Sequence, residues 1–555
     1  SIPCGVTRIG DEAFKGCSSL TEIVVPDSVT SIGRYAFYGC NSLMDITIPS
    51  GVTRIGDWAF YGCSSLTGIT IPRGITCLEE GLFAYCTGLV DISIPENVTD
   101  IKHRVFLGCT GIKSIVLNKY VCEDNFTMGY LFPDSYKTIE TIVIPKGVRR
   151  ICDYAFSGCS NLKEIVIPYG VTSIGWCAFY YCDELAYVSI PESVYDCSSH
   201  AFSGCKKIKS VVLNKYICES KNFVMKSFFP DSYQTIDTVV VSKEANSIGD
   251  YAFADCFNLK NVTIPDSVTI IGEGSFSNCC SLQSIALPDN VTSISGMTFS
   301  GCTELKDILL PKRLVQIGGR AFENCRSLTC ILIPDGVESI ESNAFVNCTG
   351  LTSITIPPSV VDLGESIFSG CAGIKSVVLN TYACENFKMD RLFPELCKTI
   401  EEVVLPDDAT SIGPEVFKGC SSLKRVTIPN NVTSIGDNAF YGCSSLSNIA
   451  IPDNVTYMGF GVFYNCKSLL NITIPNGITS IQASTFAWCD SLMSITIPKS
   501  LTNIGYDAFC RCRNLVEVFY SGTRSQWSSI TKGMYWNSIT GNYTIHCTDG
   551  DIAKN

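Results

Sequence analysis

Thirty-two cysteines and three histidines are the side chains of this 555-residue chain best suited to hold a metal, form disulfides or attack an electrophile. His103, His200 and His546 are the whole histidine complement, so a histidine-based metal site or general base would need residues far apart in sequence. In the repeat described below, His103 and His200 fall four coils apart, about 20 Å at the spacing of β-strands, and cannot share a metal or a proton. All three read as surface residues. No two cysteines are spaced C-x-x-C, and the close pairs, Cys279 with Cys280 and Cys510 with Cys512, lack zinc-ribbon or thioredoxin-like spacing. Neither H-E-x-x-H nor G-x-S-x-G occurs, and Gly272 with Gly274 and Gly459 with Gly461 lack the third glycine of a dinucleotide loop. No catalytic, metal-binding or cofactor-binding residue is assigned, and the chain reads as non-enzymatic.

The cysteines make sense only with the elements that position them. Prolines or their stand-ins recur from Pro3 through Pro26, Pro49 and Pro72 to Pro498 and Ser521, marking about 22 units. Nineteen have 23 residues, and three, starting at Asn118, Asn214 and Asn380, have 27, 28 and 26. Such a period is the mark of stacked coils that cannot bury their apolar side alone. A regular unit reads P-x-x-V-T-x-I-G-x-x-A-F-x-G-C-x-x-L-x-x-I-x-I. Its end alternates apolar and polar residues around β-branched side chains, the pattern of a short strand with one buried face. Returning each strand beside its predecessor in the same direction makes the sheet parallel and the crossover right-handed. The middle, as in "IGDWAFYGC" from Ile55, has about two turns of helical spacing and forms the opposite wall. Its phenylalanine, present in all nineteen regular units, is core, and the cysteine three residues later, from Cys17 and Cys40 to Cys512, fills a small buried corner.

The fold class is therefore an α/β solenoid, a leucine-rich-repeat-like right-handed coil with a parallel β-sheet on one wall and short helical segments on the other. Residues 1–520 form the array, about 100 Å long at strand spacing, and residues 521–555 a C-terminal capping segment. That segment carries Trp527, Tyr535, Trp536 and Tyr543, and "NYTIHC" alternates like one more strand. The array opens at Ile2-Pro3, the end of a strand with no polar coil before it, so a longer parent chain is expected.

With 46% hydrophobic and 17% charged residues the chain can bury a large core. A net charge of -12 without a basic run excludes nucleic acid as the main partner. No apolar run is long enough to span a membrane as a helix.

These units closely resemble the BspA-like class of bacterial leucine-rich repeats, whose coils share "SIGDYAFSGCSSL" and "ITIPDSVTSIG" phrasing. Compare "SIGDNAFYGCSSL" from Ser434 and "ITIPSGVTRIG" from Ile46. The resemblance covers Ile2 to about Tyr520. It implies a secreted or cell-surface protein that binds host or neighbouring-cell proteins, and it carries over no particular contact residues; the chain itself is expected to be a monomer.

The strand pattern itself points to a surface. With both flanking isoleucines inward, the residue between them and the one before them face out, in two columns. One is β-branched or small, from Val24 and Thr47 to Thr496. The other carries Glu22, Asp45, Asp91, Glu164, Tyr187, Asp307, Glu402, Arg425 and Glu517. A flat, mildly apolar and acidic strip suits a protein partner, although strands favour Thr and Val without any partner. The long coils share "LNKY" or "LNTY" and "LFPDSY"-like phrases, with Tyr136, Tyr233 and Cys397 counted back to the cysteine column. They read either as binding bulges or as copied blocks. The rival functions are a cell-envelope scaffold or glycan-binding module, and a non-catalytic appendage of a larger enzyme.

Overall fold

The computed structural model describes residues 2–124, 126–394 and 396–554. It divides into two compact units, Ser1–Val268 and Thr269–Asn555. In both units the chain winds as coils whose strands stack parallel and in register.

In the first unit, nine strands from Gly68–Ile69 to Asn261–Thr263 form one sheet, the front wall. Within a 23-residue step Ile142 pairs with Ile165, and the long coils do not disturb this: Ile115 pairs with Ile142, 27 residues on, and Val211 with Val239, 28 on. The extra residues leave the sheet as bulges because a one-residue slip would turn the isoleucines outward. A second set of two-residue parallel ladders runs along the neighbouring wall, from the residues before each coil's glycine. Arg8–Ile9, Ser31–Ile32 and Arg54–Ile55 are three such rungs. The sequence reading had one strand per coil; the T-x-I-G segment supplies another.

The third wall is not helical in the regular coils. The N–H groups of Tyr35, Phe37 and Gly39 donate across to Asp57, Ala59 and Tyr61 of the next coil at 2.7–3.1 Å, while those of Tyr38 and Cys40 close local turns onto Tyr35 and Phe37. Tyr35 and Gly39 are left-handed, with φ of 55° and 73°. A helix needs i to i−4 bonds and negative φ throughout. The A-F-x-G-C spacing is instead a run of turns tied sideways, and the cost of a non-glycine residue at positive φ, about 1–2 kcal/mol, is offset by the bonds between coils. Helices occur in the long coils, as at Lys119–Glu123 and Lys215–Cys218.

The core is a column of phenylalanines in near-parallel offset stacks. Phe14, Phe37 and Phe60 follow one another at 5.2 Å with interplanar angles of 4–5°. Phe132 and Phe229 of the long coils continue the column against Phe106 and Phe202. Each stacked pair adds about 0.5–1.5 kcal/mol beyond its burial.

The cysteines do more than fill space. Cys63, Cys86 and Cys109 are fully buried, and each thiol donates to the carbonyl of the preceding coil's phenylalanine, Phe37, Phe60 and Phe83, at 3.0–3.3 Å. That carbonyl already accepts the N–H of its own coil's cysteine, so the thiol occupies the second lone pair.

The long coils depart from the expected register. One additional residue separates Phe132 from Ile139, so Ser135, not Tyr136, follows Phe132 by three and is buried. Ser232 stands likewise after Phe229, and Leu396 after Phe393. The placing of Tyr136 and Tyr233 at the column is thus corrected, since the two tyrosines turn half outward, whereas Cys397 stays buried and touches the column thiol of Cys420. The hydroxyls of Ser135 and Ser232 meet no hydrogen-bond partner; an O–H reaches less far than an S–H across the gap between coils. Asparagine stands where proline opens other coils for a visible reason. Asn118 Nδ2 donates to the Pro95 and Val98 carbonyls at 2.8 and 2.7 Å, and its Oδ1 accepts from Val121 N–H, capping the helix. Asn214 repeats this arrangement.

The second unit is built the same way. Phe276 to Phe393 and Phe417 to Phe509 stack at 5.0–5.6 Å. Asn380 caps Thr381–Asn386, and Val377 pairs with Val403, 26 residues on. After Tyr520 the chain forms the helix Arg524–Ser529 with a Thr523/Gln526 capping box. Trp536 then packs edge-on against Phe509. Thr544–Cys547 adds a parallel strand to Glu517–Tyr520, and Gly550–Ala553 pairs antiparallel outside it.

Candidate functional site

Alternation along each front strand decides what faces out. In Asp45–Thr47, Asp91–Ser93 and Glu164–Val166 the middle residue is buried and both flanking residues are exposed. Glu22, Asp45, Asp91, Glu164, Tyr187, Asp307 and Arg425 are all exposed, and Glu402 and Glu517 are half-exposed. Register brings some of them together. Glu22 lies beside Asp45, Glu164 beside Tyr187, and Glu402 beside Arg425. Asp91 has Gly68 and Ser114 as neighbours, and Asp307 has Ser284.

Charge differs between adjacent columns. One residue earlier, Lys113, Glu140 and Lys163 form an ion-paired ladder at 3.7 and 2.9 Å, and Lys375, Glu401 and Lys424 a second at 4.0 and 2.8 Å. These lysines hold the Glu140 and Glu401 carboxyls below the usual range. Among the described residues Asp45, Asp91 and Glu164 have no such cation. Glu517 is engaged differently: it bonds His546 Nε2 at 2.5 Å, while His546 Nδ1 meets Asp551 at 3.0 Å. The bond to Glu517 raises the His546 pKa. His546, read as a surface histidine, is therefore a clamp between neighbouring strands.

Two front-wall residues escaped the sequence reading. Leu309 and Leu332 are 73% and 76% exposed and stand at the positions filled by Val or Thr in other coils. Applying the 23-residue period to leucine would have found them. The turn wall carries further exposed aromatic residues, among them Tyr154, Trp176 and Tyr181.

The remaining histidines do not assemble chemistry. His103 bonds Tyr130 at 2.7 Å and His200 lies beside Ser199 at 3.1 Å. Among the described residues no three His, Cys, Asp or Glu side chains converge on a metal-sized site, and no helix is long and apolar enough to cross a membrane.

Stacked coils with parallel front strands in register define a leucine-rich-repeat solenoid. The chain belongs to the family described as BspA type leucine rich repeat region, whose model matches residues 7–126, 129–228, 222–349, 315–390 and 389–516. Three solved structures illustrate the likeness. A leucine rich cell surface protein from Faecalibacterium prausnitzii A2-165 is 30% identical, with 62% of this chain and 90% of that one covered and a TM-score of 0.30. A leucine-rich repeat protein from Bacteroides ovatus ATCC 8483 is 24% identical, with 94% and 91% covered and a TM-score of 0.27. The T. pallidum leucine rich repeat protein is 32% identical, with 32% and 72% covered and a TM-score of 0.23. No curated protein matches the chain.

Proposed function

We propose that the chain is a non-enzymatic, secreted or cell-surface adhesion protein that engages proteins of a host or neighbouring cell through its front sheets. The observation that carries this reading is the pairing, on the outward side of each unit's front strands, of exposed apolar side chains with carboxylates that have no cation of their own among the described residues. Val24 and Val166 in the first unit and Leu309 and Leu332 in the second are more than 70% exposed, and side chains of this kind form interface cores. The flanking Asp45, Asp91 and Glu164 would steer a basic partner, with a rate that falls as salt rises. The surface location follows the family resemblance.

The reading is tested with the purified chain on beads, presented to intact host and bacterial cells. Saturable binding is expected that weakens with salt, falls about tenfold or more in Leu332→Asp, and is abolished by protease treatment of the target cells. Binding that survives Leu332→Asp together with Asp45→Lys and Asp91→Lys would place the contact elsewhere.

A further inference from the structure

The first long coil opens a cleft on the turn wall, away from the front sheet. The additional residue after Phe132 turns Tyr136 half outward, and its ring comes to lie over Gly158, where an added Cβ would meet Tyr136 Cε2 at 2.7 Å. Tyr154, Tyr180 and Tyr181 of the following coils join it around an open cleft of about 730 Å³. That volume is within the roughly 300–1,000 Å³ of ligand pockets. Tyr154 and Tyr181 are each 46% exposed and are held by the left-handed backbone of the wall, at φ of 58° and 56°.

Part of the polar lining is engaged, as where the Ser160 hydroxyl donates to the Lys137 carbonyl at 3.2 Å, and part is unspent. Lys137 has its ammonium 5.5 Å over the Tyr136 ring and, among the described residues, no carboxylate. The Tyr136 hydroxyl and the Ser157 hydroxyl, which also line the cleft, have no hydrogen-bond partner among the described residues. Asp183 closes the far side and is paired with Lys206 at 3.2 Å.

We propose that this cleft binds an oligosaccharide of pyranose rings. A pyranose has one face of C–H bonds, which suits the negative face of an aromatic ring, and a rim of hydroxyls, which suits the free ammonium and hydroxyls here. A proline-rich peptide, the other common occupant of aromatic clefts, needs slots between rings. The Tyr180 and Tyr181 centroids are 4.2 Å apart and tilted by 59°, which leaves no slot between them. The chain contains its own comparison. The positions of Tyr154, Tyr180 and Tyr181 are Tyr251, Ser277 and Asn278 after the second long coil, and Glu415, Tyr441 and Gly442 after the third. The full tyrosine set follows only the first.

The test applies the intact chain to an array of immobilised neutral, N-acetylated and uronic-acid oligosaccharides, with proline-rich peptides on the same surface. The expected result is saturable binding to at least one saccharide, weakened about tenfold by Tyr154→Ala or Tyr181→Ala and unchanged by Tyr251→Ala. Lys137→Ala, at an exposed side chain with no ion pair to lose, should also weaken binding without lowering the melting temperature. It serves as the variant of record if a tyrosine variant melts early. Silence across the saccharides, capture of the peptides alone, or saccharide binding unaffected by both Lys137→Ala and the tyrosine variants overturns the proposal. Front-sheet variants such as Leu332→Asp should leave saccharide binding intact, which separates this site from the protein-binding face.

Discussion

The Cys63 thiol donates to the carbonyl of Phe37, 26 residues earlier and one coil back, at 3.3 Å. The same bond recurs in the second unit, from Cys348 to Phe322 at 3.0 Å and from Cys489 to Phe463 at 3.1 Å. It is missing, among the described residues, at Cys159, the column cysteine of the coil that follows the first bulge. Comparing Cys63→Ala with Cys159→Ala therefore isolates the bond from the volume. Both should destabilise by creating a small cavity, and Cys63→Ala should cost about 1 kcal/mol more, read as a lower denaturation midpoint in urea. Equal costs would show that the thiols act by volume alone.

Thiol reactivity should split sharply. Burial pushes the thiols of Cys40, Cys109 and Cys159 up to about 12, so at pH 8 they are protonated as well as inaccessible. Titration of the native chain should find the exposed Cys4, Cys17 and Cys330 first, and at least about fifteen more only after unfolding without reductant. Cys397 is the exception among buried cysteines, since contact with Cys420 lowers it to about 7. It should be the first buried thiol labelled when the array breathes. A low count after denaturation would reveal disulfides.

Asn118→Ala removes two bonds to the preceding coil and a helix cap. Two buried carbonyls would lose their donor, for a total of about 2–4 kcal/mol. The loss should appear as faster amide exchange confined to the bulge after Leu117, while the sheet on either side keeps its protection.

The C-terminal strands should respond to pH. The His546 pKa is raised in the folded state by Glu517 first and Asp551 after it. The clamp therefore stabilises fully below the ordinary histidine value, about 6.5, and is lost as pH rises through the raised folded value. Corrected for the intrinsic rise of exchange with pH, protection at Gly550–Ala553 should fall as pH climbs above about 6.5, and Glu517→Gln should flatten that profile.

Removing residues 521–555 uncovers Phe509 and leaves the Glu517–Tyr520 edge unpaired. The truncated chain should aggregate or fray from that end, whereas unchanged solubility and melting would make the segment a linker.

The period, the phenylalanine column and the parallel sheet were legible because each rests on a residue type repeated in phase. The turn wall was not: A-F-x-G-C has the same spacing in a helix as in turns, and only bonds to the next coil, invisible in one repeat, decide between them. The bulges misled by one residue for a related reason. Counting back from the strand assumed the regular spacing from phenylalanine to the last apolar residue, and the phenylalanine of "LFPDSY" is a safer anchor than its tyrosine. Leu309 and Leu332 were passed over because they look like core residues when read by type and not by phase. The tyrosine cleft needed three dimensions, since its members come from three coils.

The ladders that hold one coil to the next run along the axis of winding. A pull on the ends of either unit's stack loads those bonds one coil at a time, from an end, as a zipper and not as a rope. Each 23-residue coil that lets go can pay out about 80 Å of chain, and the tension falls before the neighbouring rung is reached. Coils held this way give under tension by lengthening in small steps, and whatever grips the ends of the stack is spared the peak force.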